Sequence, residues 1–402
     1  MQFVEIFFWF FLFVVIYSYF GYAFLLFIYL KISKRIRGRE DEKLIAPAFQ
    51  PHVTLIVAAF NEEELIEKKI LNTLEIDYPQ ENLQLIFVTD GSDDSTPQVV
   101  RKYSSILLLH NAERRGKVAA MNRAMKYVKS PVVIFSDANT LLNPESVKKI
   151  VRHYADPQVG GVAGEKKILD FSNNTAAGVG EGIYWKYESF IKRLDSSYYS
   201  VVGAAGELFS IRTELFEEVN ENVILDDFVI SLRICKRGFR VIYEPAAFAI
   251  ETPSFSIKDE QKRKIRISAG GFQAMYILKD LLNIIKYPKL SFQYISHRVL
   301  RWTLCPLFLP LIFISNLYLV VNNRGIVYNV LLITQLIFYA FAFIGWLFAN
   351  KNIKLKIFYL PYYFLFMNLS LYLGFIRYIR NKQSVLWEKA SRKSNTTTKV
   401  VS

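Results

Sequence analysis

LQLIFVTD (Leu83–Asp90) and PVVIFSD (Pro131–Asp137) decide how this chain is to be read. Each is a short apolar run, rich in β-branched and aromatic residues, that ends on an aspartate; this is the pattern of a buried strand. Around them, from His52, strand and helix patterns alternate: HVTLIVAA, a helix from about Glu62 to Leu74, LQLIFVT, a helix after Ser95, ILLLH, a helix from about Lys117 to Val128, then PVVIFS. Such alternation predicts an α/β fold with a mostly parallel sheet and helices on both faces. Ligands of sheets of this kind bind beyond the carboxyl ends of the strands, where Asn61, Asp90 and Asp137 fall. Beyond Asn143 the pattern loosens into a helix around Gly182 to Leu194, a Gly-rich turn over Gly203 to Gly206 and a helix from about Asp226 to Lys236. That half reads as an α+β extension closing the crevice.

The 402 residues distribute their apolar content unevenly, with uncharged runs at Ile6 to Leu30, Thr303 to Val321, Gly325 to Asn350 and Ile357 to Ile376. All four are long enough to span a bilayer. The first lacks a basic n-region and a small-residue cleavage site, so it is expected to stay as an anchor. Lys31, Lys34, Arg35, Arg37 and Arg39 follow it, which places residues 40 to 300 in the cytoplasm and makes the chain a multi-pass protein of the cell or inner membrane. Four crossings from that start put the C-terminus outside, yet Arg377, Arg380, Lys382, Lys389, Arg392 and Lys393 belong inside. Pro306 and Pro310 point to Thr303–Val321 as the incomplete crossing. The expected organisation is a membrane helix (1–30), a basic linker (31–50), an α/β domain (51–255), amphipathic interfacial helices (256–302), a membrane region (303–376) and a basic polar tail (377–402).

Much of the net charge of +14 lies beside the apolar segments, where anionic lipid headgroups attract it. The basic residues form no aromatic-interleaved patch elsewhere, which argues against nucleic acid. Cys235 and Cys305 have neither metal-ligand spacing nor a disulfide framework.

A pair of aspartates, Asp226 and Asp227, follows Asp137 by some ninety residues. With Asp90 these make three acidic stations. A sugar diphosphate donor asks for three such groups: an acceptor for a base N–H, an oxygen ligand for a divalent cation on the diphosphate, and a carboxylate to take a proton from the attacking hydroxyl.

The motifs AAFNEE (58–63), VTDGSDDST (88–96), RRGKVAAMN (114–122), SDANT (136–140), LDDFVISLRICKRGFRVIYEP (225–245) and RKIRISAGG (263–271) occur in the order found in family 2 glycosyltransferases. Over residues 50 to about 300 the chain resembles the membrane-bound polysaccharide synthases of that family, of hyaluronan, chitin-oligomer or poly-N-acetylglucosamine type. The resemblance implies a Rossmann-like GT-A domain inserted between transmembrane helices. It also implies that Asp90 accepts the uracil N–H with Asn61 and Glu62 at the nucleoside, and that Lys117 contacts the donor. Asp137 stands at the first acid of the family's Asp-X-Asp, where Mg²⁺ or Mn²⁺ is held; Asn139 replaces the second and offers an amide oxygen without a charge. Asp227, beside Asp226, is the expected general base. Where processive synthases carry Gln-X-X-Arg-Trp, alignment on Gly270 puts Arg263, Arg266 and Ile267; the two arginines are expected on the diphosphate, or on lipid phosphate. The literal Arg-X-X-Arg-Trp at Arg298–Trp302 is expected to be an interfacial anchor with Trp302 among the headgroups. Gly206, Glu207 and Trp185, with Tyr184 and Tyr187 nearby, are expected on the acceptor.

The resemblance implies a metal-dependent inverting hexosyltransferase. It would move sugar from a nucleotide-sugar, UDP-linked, to a saccharide or lipid-linked acceptor in cell-surface or extracellular polysaccharide biosynthesis. The alternative is an inactive nucleotide-sugar-binding membrane scaffold or sensor, suggested by Asn139 and Ile267.

Overall fold

The computed structural model describes residues 2–37, 49–168, 176–252, 257–350 and 355–382. Most of the linker's basic run beyond Arg37 and the tail beyond Lys382 lie outside them. Eight strands, β1 (Val53–Ala59), β2 (Leu83–Asp90), β3 (Ile106–Asn111), β4 (Val132–Asp137), β5 (Thr140–Leu142), β6 (Val159–Ile168), β7 (Leu208–Arg212) and β8 (Arg240–Glu251), form one sheet in the order β3-β2-β1-β4-β7-β6-β8-β5. The first four in that order are parallel. β7 runs antiparallel to both its neighbours, β6 and β8 are parallel, and β5 is antiparallel to β8. The half beyond Asn143 is therefore a continuation of the same sheet, and not a separate extension. Leu208–Arg212 is apolar enough to be buried on both faces, so it pairs with the open edge of β4 and carries the sheet onward.

Alternate residues of each strand enter opposite layers. Ile56, Ile86, Phe135 and Phe209 pack in one core cluster, and Leu55, Val57, Phe87 and Ile134 in the other. The helix expected from Glu62 begins at Ile66, because Asn61 takes a positive φ of 52° and the chain turns there before the helix starts. The helices Lys117–Met125 and Asp226–Lys236 begin where the sequence predicts, and the helix expected at Gly182 extends over Ala176–Tyr198.

Among the described residues four helices are long and apolar enough to cross a membrane, and in sequence the α/β domain sits between the first and the other three. Leu304–Val321, expected to be broken, is one continuous helix. Its 18 residues span about 27 Å. Pro310 has no N–H to offer Pro306 one turn earlier, and the freed Pro306 carbonyl accepts the Tyr372 hydroxyl instead. The first span widens into a π turn at Tyr17–Gly21, and there the Ser18 and Tyr19 carbonyls accept Arg301 Nε (2.9 Å) and the Tyr187 hydroxyl.

The helices expected at the interface pack against the rest of the protein. Ile257–Ile277 packs lengthwise on the apolar helix Lys356–Ile379, where Gly374 lets the backbone close on Ser268. Pro288–Tyr294 and the turns through Trp302 turn one face inward. Tyr294, His297, Arg298 and Arg301 are buried between the α/β domain and the first membrane helix.

Candidate active site

Asp90 closes β2 and is 3% exposed. Its Oδ2 accepts the backbone N–H groups of Arg115 (2.9 Å) and Gly116 (2.6 Å), a turn made possible by Gly116 at φ 103°. Among the described residues its Oδ1 has no hydrogen-bond partner, although the Arg123 guanidinium lies 3.7 Å away. A buried carboxylate oxygen left open asks for a donor, as a base N–H is. Asn61 turns to the neighbouring loop: its Nδ2 donates to Asp93 (2.6 Å) and its Oδ1 accepts the Asp93 N–H (3.0 Å). The Glu62 N–H donates to Thr96 Oγ1 at 2.9 Å. These two residues thus stitch the end of β1 to the loop carrying Asp90, and Arg114 stacks over Phe60 at 3.6 Å beside them.

Asp137 closes β4, and its Oδ1 accepts Lys117 Nζ at 2.6 Å. Burial, with Glu207 and Glu251 nearby, raises the Asp137 pKa although Lys117 opposes the shift. Burial pulls the Lys117 ammonium down, but Asp137, Asp226 and Asp227 outweigh it and hold its pKa above the usual value. Asp226 and Asp227 open the helix Asp226–Lys236. Burial and then Asp226 push the Asp227 pKa up to about 7, against the pull of Lys117. A side chain at position 206 would begin 3.0 Å from Lys117 Nζ and 3.3 Å from Asp227 Oδ2, so Gly206 leaves room for the ammonium and the carboxylate to approach each other. Asp137, Lys117, Asp227 and Gly206, taken from four separate stretches, therefore line one spot.

Glu207 continues the site through residues that sequence reasoning missed. Lys166 Nζ, fully enclosed, donates to both Glu207 and Glu251, and Glu251 accepts Asn139 Nδ2 at 3.1 Å. Trp185 places its ring 5.0 Å from the same Lys166 ammonium. Lys69 is another: wholly buried, it donates to Ser136 Oγ (2.7 Å) and the Thr140 carbonyl (2.9 Å), and burial lowers its pKa to about 7. The one signal in the sequence was a lysine at a position where helical spacing asks for an apolar residue.

Arg263 pairs with Glu260 (3.0 Å) on its own helix. Farther along that helix Gly270 approaches Ile224 and Leu225 just before Asp226, and Gly271 packs on Trp302. Trp302, expected among the headgroups, turns inward onto Phe228, the neighbour of Asp227, with ring centroids 5.5 Å apart. Arg298 and Arg301 grip the buried Glu188 at 3.0 and 3.1 Å. The literal Arg-X-X-Arg-Trp is thus folded against the crevice. Its distance from Asp227 in sequence is bridged by Ile257–Ile277 doubling back.

Residues 54–219 match the sequence profile of glycosyl transferase family 2. This stretch, which spans β1 to β7, is therefore similar to family 2 glycosyl transferases. The chain is 26% identical over 246 residues to a poly-beta-1,6-N-acetyl-D-glucosamine synthase of Staphylococcus aureus (strain COL), covering 58% of this chain and 57% of that protein. The corresponding synthase of Staphylococcus epidermidis is 23% identical over 249 residues, covering 60% and 58%. The chain thus spans somewhat over half the length of the curated relatives it matches. Among solved structures it is similar to a mannosyltransferase from Pyrobaculum calidifontis in complex with GDP-Man and Mn²⁺, with a TM-score of 0.67 and 23% identity over 92% of this chain and 97% of that one. The α/β domain has the GT-A-like fold that its motifs imply.

Proposed function

We propose that the chain is an inverting membrane glycosyltransferase that moves a sugar from a nucleotide-sugar, UDP-linked, to a hydroxyl of a saccharide or lipid-linked acceptor, in cell-surface or extracellular polysaccharide biosynthesis. The observation that carries this reading is the meeting of Asp227, its pKa raised to about 7, with the Lys117–Asp137 pair over Gly206. A carboxylate with that pKa is matched to taking a proton near neutrality. In the mechanism Asp90 Oδ1 accepts the base N–H, Lys117 neutralises diphosphate charge, and Asp227 removes the acceptor proton. The acceptor oxygen then attacks the anomeric carbon from the face opposite the leaving diphosphate, so the configuration inverts without a covalent intermediate on the protein.

Among the described residues no three His, Cys, Asp or Glu side chains converge as a ready-made metal cage. The residues still fit a hard cation shared with the donor. Asp137 has a carboxylate in a site with surplus negative charge, and Asn139 gives its nitrogen to Glu251, leaving the amide oxygen as its possible ligand atom. Mg²⁺ or Mn²⁺ held there supplies positive charge against the departing diphosphate.

The same reading puts the domain in the cytoplasm, next to Lys31, Lys34, Arg35 and Arg37. It leaves Lys356–Ile379 in the inner leaflet and not across the membrane. Two contacts support this: Tyr363 and its neighbours pack on Tyr184 and Ile257 near one end, and Phe375 and Tyr378 pack on Phe272 at the other, so both ends face the catalytic side. Three crossings then remain, and Arg377, Arg380 and Lys382 stay inside.

The test is nucleoside diphosphate release by the detergent-purified protein from a panel of UDP- and GDP-sugars, with Mg²⁺, Mn²⁺ or EDTA. Metal-dependent release from one donor, lost in Asp227→Asn, is expected. Donor binding with no release across a panel of acceptors would favour an inactive scaffold.

A further inference from the structure

Three buried polar groups, Glu165, Lys192 and Tyr243, meet at the interface between the helix Ala176–Tyr198 and strands β6 and β8. Trp185, Ser189, Lys192 and Ser196 follow i, i+4, i+7, i+11 spacing and form one stripe on that helix. Glu165 on β6 and Tyr243 on β8 lie under the stripe: Ser189 Oγ donates to Glu165 Oε1 at 2.6 Å, and Ser196 Oγ accepts the Tyr243 N–H at 2.9 Å. Between these contacts the polar atoms are unmet. Among the described residues, Glu165 Oε2 and Tyr243 Oη are buried without a hydrogen-bond partner. The Lys192 ammonium, on a residue 3% exposed, has neither a hydrogen bond nor an ion pair there; it faces the rings of Trp185 and Tyr243 at 5.4 and 5.9 Å.

We infer that this interface is a subsite for the acceptor saccharide, in which Glu165, Lys192 and Tyr243 bind hydroxyl or amide groups and Trp185 offers its ring to the sugar's apolar face. The inference rests on the glycosyltransferase reading, takes Trp185 from the acceptor residues that the resemblance implies, and adds Glu165, Lys192 and Tyr243. Opposite charges on facing elements would close into a direct pair if their task were to hold the fold, as Lys166 does with Glu207 and Glu251. Here they stay apart. Burial raises the Glu165 pKa and lowers that of Lys192, as befits buried charges whose nearby opposite charges do not fully offset the loss of water. A sugar hydroxyl both donates and accepts, so one hydroxyl can satisfy a carboxylate oxygen and an ammonium together. Trp185 fits the same ligand, because the C–H face of a pyranose packs on an indole. The position is also apt: the Trp185 ring is shared with Lys166, Lys166 holds Glu207, and Glu207 adjoins the glycine beside Asp227.

The experiment uses full-length protein in nanodiscs, UDP-N-acetylglucosamine as donor and a β-1,6-linked N-acetylglucosamine tetramer as acceptor probe. It compares Lys192→Met, Glu165→Gln and Tyr243→Phe. Because a site built to hydrogen-bond a hydroxyl discriminates strongly when that bond is lost, the acceptor KM should rise about tenfold or more in the first two variants and about threefold in the third, with donor KM within about twofold. The thermal midpoint should hold or rise, since each variant removes a buried polar group or charge lacking a full partner. Acceptor KM within about twofold in all three would mean that water alone fills the interface, and would overturn the proposal. Donor and acceptor KM rising together with a lowered midpoint would make it packing, and would overturn it too. If wild-type protein turns over no donor, saturation-transfer NMR with the tetramer decides separately: binding lost in Lys192→Met keeps the subsite while the enzyme reading fails, and no binding by wild type sinks the subsite.

Discussion

Two buried ionic clusters, one at the membrane joint and one in the crevice, balance their charges in opposite ways. At the joint with the first membrane helix, Glu188 accepts Arg298 and Arg301, while Asp195 accepts His297 Nδ1 at 2.6 Å and the Tyr22 hydroxyl at 2.5 Å. Burial alone would raise the Glu188 pKa, but Arg298, His297 and Arg301 hold it well below the usual carboxylate value. In the crevice, Asp137 and Asp227 both sit above theirs. A cluster that holds a fold together closes its own charge. One that works on a ligand leaves charge for the ligand to complete.

The largest effects should separate the two clusters outright. Asp227→Asn should cut transfer about 10³-fold, within the range of general-base catalysis, with the thermal midpoint unchanged or raised at pH 8. Glu188→Gln should do the reverse to stability, costing about 3–5 kcal/mol because it leaves two guanidinium groups underpaired, measured by denaturation in detergent. A stable Glu188→Gln protein would break the comparison.

Titration sharpens it. The base must be deprotonated, so kcat should climb with pH and level off above about 7 in wild type, a profile that Asp227→Asn should not retain. Glu188 has a lowered folded pKa, so its stabilisation is complete above the usual carboxylate value of 4.5 and is lost as pH falls through the folded value. Activity should therefore fall on acidification well before the joint opens. A wild-type rate independent of pH between 5 and 8 would remove Asp227 as the titrating base.

Asp137→Ala should raise the metal concentration needed for half-maximal rate by at least the about 10–100-fold typical of losing an outer-shell partner. The smallest effect, on labelling alone, concerns topology. A cysteine at Asn323 should react with an impermeant thiol reagent added outside cells, and one at Lys382 should not. Reaction at Lys382 would return Lys356–Ile379 to a full crossing.

The parts legible in the sequence are those that local rules write. Alternation and apolar runs located β1 to β4, and the aspartates at the ends of β2 and β4 fell at the crevice because strand ends do in such sheets. Asp226–Asp227 marked a helix start, and the helix begins there. Local rules also misled: prolines suggested a broken span, yet the Tyr372 hydroxyl from another helix satisfies the carbonyl that Pro310 frees.

What the sequence determined by itself was the first four strands with their helices, the three acidic stations and the apolar spans, since each depends on residues only a few positions apart. Tertiary structure alone decided the partners of the buried charges: Lys166 with Glu207 and Glu251, 41 and 85 positions away, Arg301 with Glu188 at 113, and Trp302 on Phe228. Long charged side chains carry no periodic signal for their partners. Which carboxylate ends up neutralised and which stays open depends on how helices and sheet stack, and that stacking separates the joint that holds the domain from the crevice proposed to transfer sugar.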